Sequence, residues 1–144
     1  MTETLKVLIV EDDPDIRLGC EQALQLEGIP TEAVDSAESA RRRIGKDFRG
    51  IIVSDIRLPR MDGMSFLREI MTLDPELPIV LITGHGDISM AVQAMKDGAH
   101  DFIQKPFPPE YLVEVVRRAL EKRLLILENR ELRHRLEGRD QIEA

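Results

Sequence analysis

The sequence predicts a doubly wound α/β domain, a five-stranded parallel sheet with helices on both faces. Three observations carry that prediction. Short apolar runs alternate with amphipathic stretches five times along the 144 residues. Three of the runs, LKVLIV (5–10), GIIVS (50–54) and PIVLIT (78–83), are nearly continuous in Val, Ile and Leu. Turn and cap residues punctuate the intervals. A parallel strand is covered on both faces and so reads as an unbroken apolar run, and repeated strand–helix alternation gives right-handed crossovers that place helices on both sides.

In order, strand one (5–10) is followed by a helix over 14–27, opened by Asp13-Pro14 and closed at Gly28. TEAV (31–34) is strand two, and the helix over 36–46 opens at Asp35-Ser36. Strand three (50–54) precedes a helix over 64–73, and strand four (78–83) precedes a helix over 87–97 that ends at Asp97-Gly98. DFI (101–103) is strand five. The last helix starts near Pro109 and meets no stop signal before Gly138. At about 1.5 Å per residue it is roughly 40 Å long, more than a domain of this size needs.

Along that helix the apolar positions change phase. Leu112, Val116, Leu120, Leu124 and Leu127 suit packing on the sheet. Leu125, Asn129, Leu132 and Leu136 then follow a four-three-four spacing, a heptad seam with Asn at one core position. The seam predicts a homodimer through this helix, although it spans fewer heptads than the three or four that define a coiled coil outright, and an amphipathic tail is the competing reading. The expected organisation is a domain over residues 1–121 and a linker helix over 122–144.

Composition narrows the function. Apolar residues make up 42% of the chain, and no apolar run approaches the length of a membrane-spanning helix. The single cysteine, Cys20, rules out an internal disulfide and a Cys-based zinc site, which suits a reducing cytoplasm. The net charge of −7 is uneven: residues 1–116 hold 12 basic against 21 acidic side chains, residues 117–139 hold 8 against 4. The acidic bulk should repel nucleic acid. In the basic segment Glu and Arg alternate, as on a solvated helix face.

Ligands of open α/β sheets gather at the carboxyl ends of the strands. There this sequence places Glu11-Asp12-Asp13 after strand one, Asp55 at the end of strand three, Thr83 on strand four and Lys105 just after strand five. Singly, each has a commoner meaning as a helix cap, a core residue or a surface charge. Together on one edge they form a site. Asp12, Asp13 and Asp55 are expected to converge. Two carboxylates about 4 Å apart repel by roughly 4 kcal/mol at an effective dielectric of 20, which a raised pKa or a cation relieves. An oxygen-rich site suits Mg²⁺, held by Asp13, Asp12, Asp55 and the carbonyl of Arg57. A carboxylate beside a metal and a lysine can attack phosphorus, and Asp55 is the expected nucleophile. A cis bond between Lys105 and Pro106 is expected beside it. Of the histidines, only His85 falls near this edge, so no general base for water is apparent.

VLIVEDDPDIR, VSDIRLPRMDG, ITGHGD and GAHDFIQKPF resemble the receiver domain of two-component response regulators, from about Lys6 to Glu121. The resemblance implies a flavodoxin-like sheet of order 2-1-3-4-5 and phosphorylation of Asp55 by a sensor histidine kinase. Lys105 would contact the phosphoryl group, Thr83 would swing toward it and Phe102 would move inward. Residues 57 and 85 would tune the lifetime of that group. SDIRLPRMDGMSFL, LITGHGDISMAVQAMKDGAHDFIQKPF and LENRELRHRL further resemble the sigma-54-dependent activators of the C4-dicarboxylate transport type. Those carry an AAA+ ATPase and a DNA-binding domain after the receiver and linker. The present chain has no GxxxxGK[ST] loop, so neither activity is expected of it.

Two other classes compete. A small Mg²⁺-dependent aspartyl-phosphate phosphatase typically has an acidic group two residues past the nucleophile, where this chain has Arg57. A flavodoxin-like cofactor binder needs a glycine- or hydroxyl-rich phosphate loop after strand one, and EDDPD would repel a phosphate.

Overall fold

The computed structural model describes residues 4–84 and 86–143, the side chains as far as Gly138; His85 lies outside the described residues. The chain runs β1 (Lys6–Val10), α1 (Pro14–Gln25), β2 (Thr31–Val34), α2 (Ala37–Arg41), β3 (Gly50–Asp55), α3 (Gly63–Leu73), β4 (Ile79–Thr83), α4 (Ile88–Lys96), β5 (Asp101–Gln104) and α5 (Pro109–Glu143). All strand pairs are parallel, in the order β2-β1-β3-β4-β5, as expected. No helix among the described residues is long and apolar enough to cross a membrane.

Strand residues alternate between two cores. Leu8, Val10, Ile52 and Leu81 face Phe66, Leu67 and Ile70 of α3, while Val7, Ile9, Ile51, Val53, Val80 and Ile82 face Leu24 of α1 and Leu112, Val115 and Val116 of α5. Every residue of β3 is buried. Each such aliphatic side chain contributes about 1.5–3 kcal/mol. α1, α2 and α3 start where the sequence supplies acceptors for otherwise unpaired backbone amides. Asp13 Oδ1 accepts from the amides of Asp15 (2.9 Å) and Ile16 (3.3 Å), Ser36 Oγ from Ser39 (3.1 Å) and Asp62 Oδ1 from Ser65 (2.8 Å). Gly28, with φ +73°, turns the chain out of α1 in a conformation that favours glycine.

Two boundaries differ from expectation. α2 ends at Arg41, not at residue 46. The amides of Arg43 and Ile44 bond three residues back, to Ala40 and Arg41, tightening the turn as Ile44 takes its place in the core. α5 continues through Gly138 to Glu143, because one interior glycine costs a helix only about 1 kcal/mol.

The basic segment is also not a simply solvated face. Arg123 is fully buried. Its guanidinium donates to the Phe48 carbonyl (3.0 and 3.1 Å) and to Asp74 Oδ2 (2.9 Å). Two turns on, Arg130 binds Asp74 (2.8 and 3.1 Å), Asp47 (2.6 Å) and Glu76 (2.8 Å). The linker is therefore bolted to the base of the sheet, opposite the carboxyl-end edge. Burial works against ionisation of Asp74, but hydrogen bonds from Arg130, the Glu76 amide and Arg123 outweigh it and hold the carboxyl at about 2. Since that is below the ordinary 3.8, the stability it adds is complete above that pH and drains as pH falls toward 2. Arg123→Ala removes the buried donors to the Phe48 carbonyl and one of the two arginines on Asp74, and should lower the unfolding free energy by about 1–3 kcal/mol in urea titrations at pH 7. An unchanged midpoint would show that the bolt adds nothing.

Candidate functional site

The candidate site lies along the carboxyl ends of β1, β3, β4 and β5. Asp55 closes β3 and is buried. Its Oδ2 accepts from Lys105 Nζ at 2.9 Å and its Oδ1 from the Arg57 amide at 3.0 Å. The amide of Gly63 donates to the Ile56 carbonyl at 3.0 Å, bringing α3 close beneath this turn. A Cβ at Gly63 would lie 2.6 Å from the Asp55 carbonyl oxygen, so only glycine fits. Lys105 follows β5; its amide donates to the Thr83 carbonyl (2.8 Å), tying it to β4, and the Lys105–Pro106 bond is cis. Thr83 is fully buried, with its hydroxyl donating to the Ile103 carbonyl at 3.4 Å, toward β5. Phe102 is half-buried and packs against the core shared with α3.

Carboxylate oxygens of Glu11, Asp12 and Asp55 all lie within 4.8 Å of one another. The cluster thus contains Glu11 where the sequence suggested Asp13. Asp13 is taken up in capping α1, and the sequence held the signal: Asp13 immediately precedes Pro14, a helix N1 residue, so its carboxylate faces the helix amides. Glu11, the first residue past β1, is buried with it. Burial, and then the charge of Asp55, push Glu11 up to about 7. Burial pulls Lys105 down, but its bond to Asp55 and the surrounding carboxylates outweigh this and raise it, so it stays a cation.

This donor set fits a small hard cation. Three carboxylates converge, and Glu11 Oε1 is buried without a hydrogen-bond partner, its nearest cation being Lys105 Nζ at 3.7 Å. Oxygen ligands with room for water are what Mg²⁺ takes.

Arg57 sends its side chain away from this cluster. Its Nε and one terminal nitrogen grip the carboxylate of Asp87, with contacts of 2.6, 3.0 and 3.2 Å. Sequence reasoning missed Asp87, which lies 30 residues from Arg57 and stands at the start of the helix expected over 87–97 with no local sign of that partner. The seam residues Leu125, Asn129, Leu132 and Leu136 are exposed on the outer face of α5, far along the chain from the carboxylates.

Fold and site together define a receiver: the chain belongs to the response regulator receiver domain family, whose profile matches residues 7–117. Among individual proteins it is 49% identical, over 96% of its length, to the C4-dicarboxylate transport transcriptional regulatory protein DctD of Rhizobium meliloti. It is also 49% identical, over 93%, to the DctD of Pseudomonas aeruginosa. The chain spans 30% of the length of each. The crystal structure of NtrX from Brucella abortus superimposes with a TM-score of 0.80 at 40% identity, covering 90% of this chain and 30% of that one.

Asp13→Ala should leave Mg²⁺ affinity intact and cost about 1 kcal/mol of stability as a lost cap. Glu11→Gln should weaken the rise in melting temperature that Mg²⁺ produces while raising the metal-free melting temperature at pH 8, where it removes a crowded charge. Thermal melts with and without Mg²⁺ check both, and the opposite assignment of effects would return Asp13 to the metal set.

Proposed function

We propose that the chain is the phosphoacceptor switch of a two-component system, with Asp55 taking a phosphoryl group from a sensor histidine kinase. The observation that carries this reading is the buried Asp55 carboxylate, held at 2.9 Å by Lys105 beside the carboxylates of Glu11 and Asp12. A carboxylate oxygen of Asp55 attacks phosphorus as the bond to the donor breaks. Lys105 balances the charge spread over the transferring oxygens. Glu11, Asp12, Asp55 and the Arg57 carbonyl would hold Mg²⁺, which adds positive charge at those oxygens. Thr83 turns from Ile103 toward the new phosphoryl group, and Phe102 moves into the space beside it. The phosphatase alternative draws no support: the position two past Asp55 is Arg57, and its guanidinium is engaged with Asp87.

The output runs through α5. Leu125, Leu132 and Leu136 are exposed, at 57–67%, and with Asn129 they form the seam on which a second copy pairs. In the longer protein this dimer would control an AAA+ ATPase and DNA-binding domain of a sigma-54-dependent activator in the cytoplasm. That reading is supported by 49% identity to the DctD regulators.

Incubation with acetyl phosphate and Mg²⁺ should add a single phosphoryl mass, absent in Asp55→Asn, and Lys105→Ala should bind Mg²⁺ without switching. An adduct of equal yield on Asp55→Asn would sink the assignment. Leu125→Asp combined with Leu132→Asp should sediment as a monomer, and an unchanged sedimentation coefficient would remove the seam.

A further inference from the structure

Among the described residues, Asp87 is the one site-edge carboxylate that the chemistry above leaves without a role. It sits at the N-cap position of α4 yet makes no capping bond with its side chain. Its carboxylate instead accepts from the Gly84 amide (3.2 Å) and from Arg57 at 2.6–3.2 Å. The two partners differ sharply in exposure: the Asp87 side chain is 2% exposed and that of Arg57 70%. Asp87 also closes the turn after β4 through its own amide, which donates to the Gly84 carbonyl at 3.3 Å. One ion pair therefore ties the loop carrying Arg57 to the loop that follows Thr83.

Arg57 has a second claim on it. Its backbone amide already binds Asp55 Oδ1 at 3.0 Å, so its guanidinium is tethered within a side chain's length of that carboxylate. A phosphoryl group on Asp55 brings about two negative charges to the place, against the single charge of Asp87. Guanidinium binds phosphate oxygens and carboxylates with the same two-point fork, so the two anions compete for one cation.

We infer that Asp87 is a positioning residue, holding the Arg57 guanidinium off Asp55 until a phosphoryl group draws it across and frees the turn between β4 and α4. The inference rests on the phosphoacceptor reading and adds to it a latch. In the transfer from acetyl phosphate, an Asp55 oxygen bonds to phosphorus, the phosphorus–oxygen bond to the acetyl group breaks, and acetate leaves with the electron pair. Arg57 released from Asp87 joins Lys105 in balancing the charge on the transferring oxygens.

The test is the rate of adduct formation from acetyl phosphate with Mg²⁺, followed by intact mass on the full chain. Asp87→Asn, which keeps an acceptor for Gly84 and loses the charge, should speed uptake about two- to fivefold, the size expected when one partner of an ion pair is exposed. Asp87→Glu should restore the original rate. In an Arg57→Ala background, Asp87→Asn should change nothing. Arg57→Lys keeps the cation without the fork and should give the same acceleration, which keeps the test open if Asp87→Asn does not fold. Equal acceleration with and without Arg57, no acceleration, or slower uptake would overturn the latch while leaving Asp55 as acceptor. Absence of any adduct on the unmodified chain would overturn the phosphoacceptor reading and the latch together.

Discussion

The structure turns on keeping one carboxylate charged at the buried end of a central strand. Asp55 leaves a strand whose every residue is buried, where an unpaired charge is costly. Lys105 and the Arg57 amide supply the compensation, one on each oxygen. Much of the surrounding architecture serves those two contacts. β5 must lie beside β4 to deliver Lys105, the amide of Lys105 is pinned to Thr83, and Gly63 lets α3 close against the turn that aims the Arg57 amide. One cation does not balance three clustered carboxylates, and the surplus shows at Glu11, which burial and Asp55 push to about 7. That surplus is what makes the site receptive to a second cation.

The opposite end of the sheet solves a different problem with the same chemistry. A helix of 35 residues leaves the domain, and its direction is set by Arg123 and Arg130 gripping Asp74 beneath the sheet. Arg123 is fully buried because the Phe48 carbonyl and Asp74 satisfy its donors there. Loops from two places in the chain, at Asp47-Phe48 and at Asp74 and Glu76, thus hold the linker. The exposed leucines beyond it are presented at a defined angle, which matters for any partner that reads them.

The fold was legible because it is written in local patterns. Short apolar runs, three of them nearly continuous in Val, Ile and Leu, marked all five strands to within a residue or two, and Asp13-Pro14 and Asp35-Ser36 marked helix starts. α2 was overread because its periodicity does not register that Ile44 leaves the helix for the core. In the site, Asp12, Asp55, Thr83 and Lys105 all come to one edge. Glu11 was passed over in favour of Asp13 because three adjacent acids look alike until the helix cap claims one of them.

By itself the sequence determined the parallel sheet, the order of its elements and which strand ends carry acids, a hydroxyl and a lysine, since periodicity and capping act over a few residues. Only the tertiary structure decided the pairings: Glu11 with Asp55, Arg57 with Asp87 and Arg123 with Asp74. The last two span 30 and 49 residues of chain, and the Glu11–Asp55 pair is likewise brought together by strand order. Whether a charge meets solvent or a partner depends on which loops the sheet order brings together, and no local pattern records that.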